Sequence, residues 1–290
     1  MSACLAELVD LLTLERLADD QFLGQSQDLG WGQIFGGQVL GQALSAAAQT
    51  VHRSRNVHSL HAYFLKLGDL RKPILFTVHR VRDGGSFSTR TVTATQAENA
   101  APIFELMASF QQPETGLEHA DPKPASPVFD GPDGLLTDRQ LWARCAQKLP
   151  GSVRALSVLE QPIELRPVAP LDPFGPERKP PDHAVWMRAV GKLPNDDRLH
   201  RCLLAYCSDF LFLPTAMRPH GVSWVTPNMQ IASLDHAMWF HRPFRMDEWL
   251  LHVMHSPSAQ AGRGLVHGSV FALTGELVAS TSQEGLIRHR

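Results

Sequence analysis

The sequence predicts an α+β fold made of two similar units, each with a central helix wrapped by a curved antiparallel sheet. In the N-terminal half, a glycine cluster leads into an Ala-rich run of strong helix formers that continues to Thr50. This run is apolar on most faces, which is typical of a buried helix, and four runs with strand character follow it. The same succession recurs in the C-terminal half. A chain of 290 residues accommodates two units, because domains of about 100–200 residues are usual.

The N-terminal unit is predicted over residues 1–113. Leucines at helical spacing indicate a short amphipathic helix over residues 3–12, and residues 14–24 have the character of a first strand. An Asp-Gly-Gly sequence at residues 83–85 is a hairpin turn signal. The strands after the central helix are predicted over residues 57–67, 73–82, 87–96 and 103–112.

A linker and capping segment is predicted over residues 114–160. It begins with a stretch rich in Pro, Asp and Gly that has little periodicity, which is typical of a surface excursion. Residues 137–149 have helical character, and we expect them to cap one end of a unit.

The C-terminal unit is predicted over residues 161–290. A mostly apolar helix over residues 198–208 is its counterpart of the first central helix, and Asp209 ends it. Its strands are predicted over residues 161–168, 183–190, 230–240, 249–255, 264–273 and 277–287.

A weak internal repeat supports this duplication. Aligning Ser59-Leu60 with Ser233-Leu234, and residues 107–109 with residues 278–280, places Gln112 opposite Gln283. The identity is low, but the order of elements agrees, so duplication of one helix-plus-sheet unit is predicted.

Composition excludes several classes of protein. The net charge is −2, with 27 Lys plus Arg against 29 Asp plus Glu, so no basic field is present to bind nucleic acid. The four cysteines have neither zinc-site spacing nor the density of a disulfide framework. No motif for a metal or another cofactor is found, and no apolar run of about 18 residues predicts a membrane span. We therefore expect a cytoplasmic protein without cofactor, metal or membrane partner.

Polar residues stand among large apolar ones in residues 231–249, a segment that contains Ser233, Asp235 and His236. Buried polar groups need hydrogen-bond partners, so the segment belongs to a satisfied core or lines a site. Neighbouring residues of a strand face opposite sides, so we expect Asp235 and His236 not to share one site and to have structural roles. His58 and His61 are predicted to be core or interface residues.

Seven blocks of the sequence, in order, resemble the acyl-CoA thioesterase II family, whose members carry two hotdog units in one chain. The similarity extends over nearly all of residues 11–288. The blocks are IFGGQVLGQAL (34–44), VHSLHAYFLKLGD (57–69), RDGGSFSTR (82–90), ASFQQPE (108–114), SDFLFLPTAMRPHG (208–221), SLDHAMWFHRPF (233–244) and ASTSQEG (279–285).

This resemblance implies a double hotdog fold and the hydrolysis of acyl-CoA to a free fatty acid and CoA. Family members hold the hydrolytic water with an Asp, a Thr or Ser, and a Gln, and these positions match Asp209, Ser233 and Gln283. Ser233 stands where Thr is more frequent; it keeps the hydroxyl and lacks the methyl that stiffens the rotamer, so we expect activity to be retained.

The proposed chemistry needs an aimed water, a proton acceptor and donors for the oxyanion. Asp209 can orient the water and accept its proton, so no covalent acyl-enzyme is required, and the sequence contains no Gly-x-Ser-x-Gly elbow. Backbone N–H groups at Gly36 and Gly37 are candidate oxyanion donors at a helix N-terminus, although a tight turn for helix packing is an equally good interpretation of these glycines. Arg90 and Arg263 are candidate contacts for the CoA phosphates.

Two alternatives stay open at this point. A hotdog hydratase or dehydratase would need a catalytic Asp and His a few residues apart at a central helix, but after Asp209 the next His is His220. A non-catalytic acyl-CoA binding or sensing module would keep the ligand tunnel without needing the three water-holding residues together. Because exposed sheet edges need a partner or cover, we also predict a homodimer or homotetramer.

Overall fold

The computed structural model describes residues 1–30, 32–98, 100–126, 129–149, 151, 154 and 159–290. Helices lie at Ala3–Leu12 (α1), Gly36–Gln49 (α2), Asp138–Cys145 (α3), Asp197–Ser208 (α4) and Phe212–Met217 (α5), with 3₁₀ turns at Ala146–Lys148 and Arg218–His220. Strands lie at Glu15–Ala18 (β1), Gln21–Gly24 (β2), Asn56–Phe64 (β3), Ile74–Asp83 (β4), Phe87–Thr95 (β5), Phe104–Gln111 (β6), Ile163–Pro167 (β7), Asp182–Ala189 (β8), Met229–Ser233 (β9), Asp235–Phe240 (β10), Leu250–Gln260 (β11), Arg263–Ala272 (β12) and Leu277–His289 (β13).

All the described strands belong to one antiparallel sheet whose two halves repeat the same order. The two halves meet at the β3–β10 pair, where Ala237 lies opposite His61. Outward from this pair the order is β3, β6, β5, β4, β2, β1 on one side and β10, β13, β12, β11, β8, β7 on the other, with β9 also paired to β13. The predicted α+β architecture with two equivalent units is confirmed. Strands β1 and β7 end this order, and the predicted homodimer or homotetramer stays a prediction.

The central helices α2 and α4 pack against each other inside the sheet. Every residue of α4 from His200 to Ser208 is buried, and in α2 Leu40 and Leu44 are fully buried. Burial of each such leucine stabilises the fold by about 1.5–3 kcal/mol. A Cβ added at Gly37 would collide with the backbone carbonyl oxygen of Tyr206 on α4. The packing interpretation of Gly37 is therefore confirmed, because any side chain there would push the two helices apart.

Buried residues from both units form one contiguous hydrophobic core. Two units that share a core and a sheet are expected to unfold together rather than as separate domains. The unit boundaries at residues 113 and 161 stay predictions, and part of the linker predicted over residues 114–160 lies outside the described residues.

Three details of the sequence-based prediction are wrong. The predicted first strand is a hairpin of β1 and β2, and the predicted strand over residues 230–240 is interrupted at Leu234. Helix α5 was not predicted, because its sequence FLPTAM contains a proline, which a helix tolerates only in its first turn.

The residue-by-residue alignment of the two units is also out of register. Ser59 pairs with Ser109, so the alignment requires Ser233 to pair with Ser280. Ser233 instead pairs with Gly285, and Ser280 pairs with Trp239. The register of paired strands is set by their turns and bulges, so short sequence identities between two strands do not predict it.

Candidate functional site

Asp209 is placed at the junction of the two units by the end of helix α4. Asp196 caps the start of this helix by accepting a hydrogen bond from the Arg198 N–H over 3.0 Å, and Asp209 is its C-terminal cap. The chain then turns at Leu211, which has a left-handed backbone (φ 61°), and enters α5. The carboxylate of Asp209 accepts a hydrogen bond from the Gly37 N–H over 3.0 Å. At the C-terminal end of α4, the dipole of that helix disfavours the Asp209 carboxylate. The same carboxylate lies at the positive, N-terminal end of α2, whose dipole favours it.

The three predicted water-holding residues lie together. Gln283 donates from Nε2 to Asp209 Oδ1 over 3.1 Å and to Ser233 Oγ over 2.8 Å. The hydroxyl of Ser233 also donates to Asp209 Oδ1 over 3.4 Å. Three side chains that are far apart in the sequence therefore form one hydrogen-bonded cluster.

The break between β9 and β10 positions Ser233 within this cluster. Ser233 is the last residue of β9, and the backbone of Leu234 bridges the two halves of the molecule. Its N–H donates to Glu284 O over 3.0 Å, and its carbonyl accepts from the Phe64 N–H over 2.9 Å. Fixing Leu234 on both sides holds the Ser233 side chain next to Gln283, which is fully buried.

His236 contacts the cluster, which the sequence did not indicate. Its Nδ1 lies 2.5 Å from Gln283 Oε1, and its Nε2 lies 2.9 Å from Ser208 Oγ. Burial lowers the pKa of the His236 imidazole, and the nearby Asp209 carboxylate opposes this shift. Asp235 points elsewhere and accepts from the Glu284 N–H over 2.6 Å. The prediction that Asp235 and His236 face apart is confirmed, but His236 supports the candidate site.

His58 and His61 of the N-terminal unit contact residues outside the cluster. His58 Nε2 lies 2.8 Å from Ser109 Oγ, and the ring of His61 packs edge-on against Trp239 at 5.3 Å between centroids. His58 is half-buried, whereas His61 is exposed, so the interpretation of His61 as a core residue is wrong and an interface role stays a prediction.

The cluster faces a cavity of about 1440 Å³. Asp209 and Ser233 line it together with Gly36, whereas Gln283 lies behind them. Most of the remaining lining near the cluster is apolar and comes from both units, including Phe35, Val39, Phe64, Leu211, Leu213 and Ile231. A large, mostly apolar cavity with a few convergent polar groups is typical of a site for a small ligand with a hydrocarbon portion.

The sequence predicts the Gly37 N–H as an oxyanion donor, but in the structure this group has a different role. Its N–H is hydrogen-bonded to Asp209 Oδ2, so this donor supports the carboxylate. A Cβ at Gly36 would lie 2.7 Å from Asp209 Oδ2, so this glycine allows the close approach. The oxyanion role of the Gly36 N–H stays a prediction.

The prediction that Arg90 contacts CoA phosphates is wrong. Arg90 is 1% exposed, and its guanidinium donates to Thr50 Oγ1 over 2.9 Å, to Thr50 O over 3.1 Å and to Asp83 Oδ1 over 2.8 Å. Together with Arg198, which donates to Ala48 O over 2.6 Å, it satisfies the C-terminal carbonyls of α2 and complements the helix dipole. Arg90 is thus a structural residue, and sequence alone could not separate a buried helix-capping arginine from an exposed one.

Arg263 is partly exposed, with its Nε 3.0 Å from Glu284 Oε1. Its side chain is not part of the cavity wall that the described residues form. Its role with CoA stays a prediction. Cations that do line the cavity include Arg144 on α3, Lys148 after it, and Arg218.

Within the described part of the chain, no cluster of three or more His, Cys, Asp or Glu side chains is arranged to hold a metal ion. Among the same residues, no helix is long and apolar enough to cross a membrane.

Comparison with known proteins places the whole chain in one family. The family described as acyl-CoA thioesterase matches residues 152–286, and the acyl-CoA thioesterase N-terminal domain matches residues 27–111. Acyl-CoA thioesterase 2 of Haemophilus influenzae is 42% identical over 99% of this chain and 99% of its own length. Human acyl-coenzyme A thioesterase 8 is 41% identical over 96% of this chain and 88% of the human protein.

The crystal structure of TesB2, an acyl-CoA thioesterase II from Mycobacterium marinum, superimposes with a TM-score of 0.77 at 40% identity, covering 98% of each chain. The chain therefore belongs to the acyl-CoA thioesterase II family, which confirms the family, the double hotdog fold and the thioester-hydrolase class that its sequence predicts.

Proposed function

We propose that this protein hydrolyses acyl-CoA thioesters to a free fatty acid and CoA, with a water molecule held by Asp209, Ser233 and Gln283. The observation that carries the proposal is the cluster of these three side chains, with contacts of 2.8–3.4 Å, on the wall of a large, mostly apolar cavity. Relatives with about 40% identity over nearly the whole chain are named acyl-CoA thioesterases. Their names support the same substrate class.

In the proposed reaction, Asp209 accepts a proton from the water as its oxygen attacks the thioester carbonyl carbon. Ser233 and Gln283 orient the water by hydrogen bonds. When the tetrahedral intermediate collapses, the carbon–sulfur bond breaks, and the proton held by Asp209 passes to the departing sulfur. The products are a carboxylic acid and the CoA thiol, so atoms and protons balance without a protein nucleophile.

The contacts of the candidate nucleophiles favour direct attack by water. Ser233 is bonded to an amide and a carboxylate, neither of which is the histidine base that a nucleophilic serine needs. Ser208 does contact His236, but it is fully buried. Cys145 lines the cavity, and burial raises the pKa of its thiol, which disfavours the thiolate.

Thiol release from a panel of short, medium, long and branched acyl-CoAs tests the proposed function. We expect release from at least one member, and a single turnover in water with heavy oxygen should place the label in the fatty acid. Label in Asp209 after that turnover would instead indicate nucleophilic attack by its carboxylate. A binding module would retain acyl-CoA without releasing thiol, and a hydratase would consume an enoyl-CoA without releasing thiol.

For the CoA end of the substrate, we propose that Arg144 and Lys148 contact the phosphates. Both are exposed and line the cavity at α3 and the 3₁₀ turn that follows it. Trp142 and Trp224 lie next to them in the same wall, with ring centroids 5.9 Å apart. Cations beside partly exposed indoles suit phosphates that are linked to an aromatic base.

Replacing both Arg144 and Lys148 with alanine is expected to raise KM for acyl-CoA about tenfold, which corresponds to a loss of about 1.4 kcal/mol of binding free energy. KM for the same acyl group on pantetheine, which lacks the nucleotide, should not change. Arg263→Ala, which removes a cation outside the cavity, is the matched control. A rise in KM with Arg263→Ala alone would assign the phosphates to that arginine instead.

A further inference from the structure

His236 lies directly behind the water-holding cluster and is 1% exposed. It belongs to β10, and its two ring nitrogens contact different partners: Nδ1 lies 2.5 Å from Gln283 Oε1, and Nε2 lies 2.9 Å from Ser208 Oγ. Phe212 covers one side of the ring at 5.7 Å between centroids. The imidazole thus joins the end of α4 to the amide of Gln283.

The orientation of the Gln283 amide follows from Asp209. One end of this amide lies 3.1 Å from Asp209 Oδ1 and 2.8 Å from Ser233 Oγ. An ionised carboxylate only accepts hydrogen bonds, so the end that faces it must be the NH₂ group. The carbonyl oxygen then faces His236, and because this oxygen is also only an acceptor, the proton between them must be on His236 Nδ1.

The other side of the ring is compatible with the same tautomer. Burial lowers the pKa of His236, which favours a neutral imidazole with a proton on Nδ1 alone. Its Nε2 is then an acceptor, and the nearby Ser208 hydroxyl has one proton, which it can give to this nitrogen or to Ala205 O at 2.9 Å. His236 thus donates to Gln283, and Gln283 donates to Asp209 and Ser233.

We infer that His236 is a positioning residue, which as its Nδ1–H tautomer fixes the amide of Gln283 so that the NH₂ group faces Asp209 and Ser233. This inference rests on the proposed function, because the orientation of the Gln283 amide affects catalysis only if the cluster holds the hydrolytic water. Without the Nδ1 donor, the buried carbonyl of Gln283 has no partner on this side, and the amide gains freedom to rotate away from the two residues that hold the water. Loss of the Nδ1 donor should therefore change kcat more than it changes KM.

Three substitutions at one position separate positioning from packing. In His236→Asn, the side-chain nitrogen occupies roughly the place of Nδ1 and can donate to Gln283. In His236→Gln, the nitrogen reaches the place of Nε2 instead, and His236→Phe keeps only the ring. We expect kcat within a few fold of the parent for Asn and about 10–100-fold lower for Gln and Phe, with KM changed less than twofold in all three.

A purely structural role predicts a different pattern, in which kcat follows thermal stability regardless of which nitrogen is replaced. Equal kcat for the Asn and Gln variants, or parental kcat for Phe, would overturn the inference.

Nitrogen NMR of the histidine-labelled protein tests the tautomer without using activity. The His236 signals, identified by their loss in His236→Asn, should show a protonated Nδ1 and an unprotonated Nε2 near neutral pH. A proton on Nε2 alone would overturn the inference even in a protein that hydrolyses acyl-CoA. Absence of thiol release from the parent would instead contradict the proposed function and leave the NMR result to decide the tautomer.

Discussion

Replacing Asp209 with asparagine is expected to lower kcat for thiol release by about 10²–10⁴-fold, the usual contribution of a general base. Asparagine has nearly the same shape, but it cannot accept a proton from water at neutral pH. Its NH₂ group must also face either the Gly37 N–H or the Gln283 NH₂ group, both of which donate to the native carboxylate. Kinetics over a range of acyl-CoA concentrations will separate kcat from KM.

Asp235→Asn is the matched control for this substitution. Asp235 is a half-buried carboxylate two residues from Ser233, and it accepts from the Glu284 N–H over 2.6 Å, an interaction that the Asn oxygen can retain. We expect its kcat to stay within a few fold of the parent. Parental kcat in Asp209→Asn would contradict the role of Asp209 as base, and an equal loss in both variants would indicate general damage to the β9–β10 region.

Much of the fold could be predicted from the sequence because its two central helices have an unusual, mostly apolar pattern. Helix α2 is buried along nearly its whole length. A helix of that kind requires neighbouring elements that cover it, and the strand-like runs that follow it in the sequence predict that a sheet does so. Register was not predictable in the same way. The pairing of Ser233 with Gly285 depends on the break at Leu234, for which the strand pattern of residues 230–240 contains no signal.

The candidate site was accessible through resemblance more than through residue types. Taken singly, Ser233 and Gln283 are ordinary strand residues, and only the tertiary structure brings them to Asp209. The Gly37 N–H and the His236 ring were missed as supports of the cluster because both contacts cross between elements: α2 to the end of α4, and β10 to β13. The role of Arg90 is not predictable from the sequence, because charge does not indicate whether a side chain points outward.

Stability is expected to fall steeply as the pH drops below about 6.5, because several imidazoles, His183 and His252 among them, are buried without charge. Burial lowers the pKa of His183 and of His252 to about 3. Within the described part of the chain, both ring nitrogens of His183 and Nδ1 of His252 have no hydrogen-bond partner. A proton added to one of these nitrogens would have no hydrogen-bond acceptor.

The sign of the effect follows from the protons bound in each state. The unfolded imidazoles titrate near their ordinary pKa of about 6.5, so between about pH 6.5 and 3 the unfolded chain binds more protons than the folded one. The stabilisation is therefore complete above pH 6.5 and is lost as the pH falls towards 3. Each imidazole contributes a slope of about 1.4 kcal/mol per pH unit, so the pair should remove about 4 kcal/mol by pH 5, a large part of a typical net stability of about 5–15 kcal/mol.

Urea unfolding at several pH values between 7.5 and 5 measures this slope. His252→Gln, which can keep the contact with Thr281 Oγ1 that His252 Nε2 makes over 3.0 Å, should reduce the slope by about 1.4 kcal/mol per pH unit, since glutamine does not titrate. His79→Gln removes an exposed histidine of β4 and controls for the loss of one imidazole. An unchanged slope in His252→Gln would mean that the His252 ring takes up a proton in the folded protein. Water or a carboxylate would then have to reach Nδ1. That requires a local opening of the packing between Phe212 and β11.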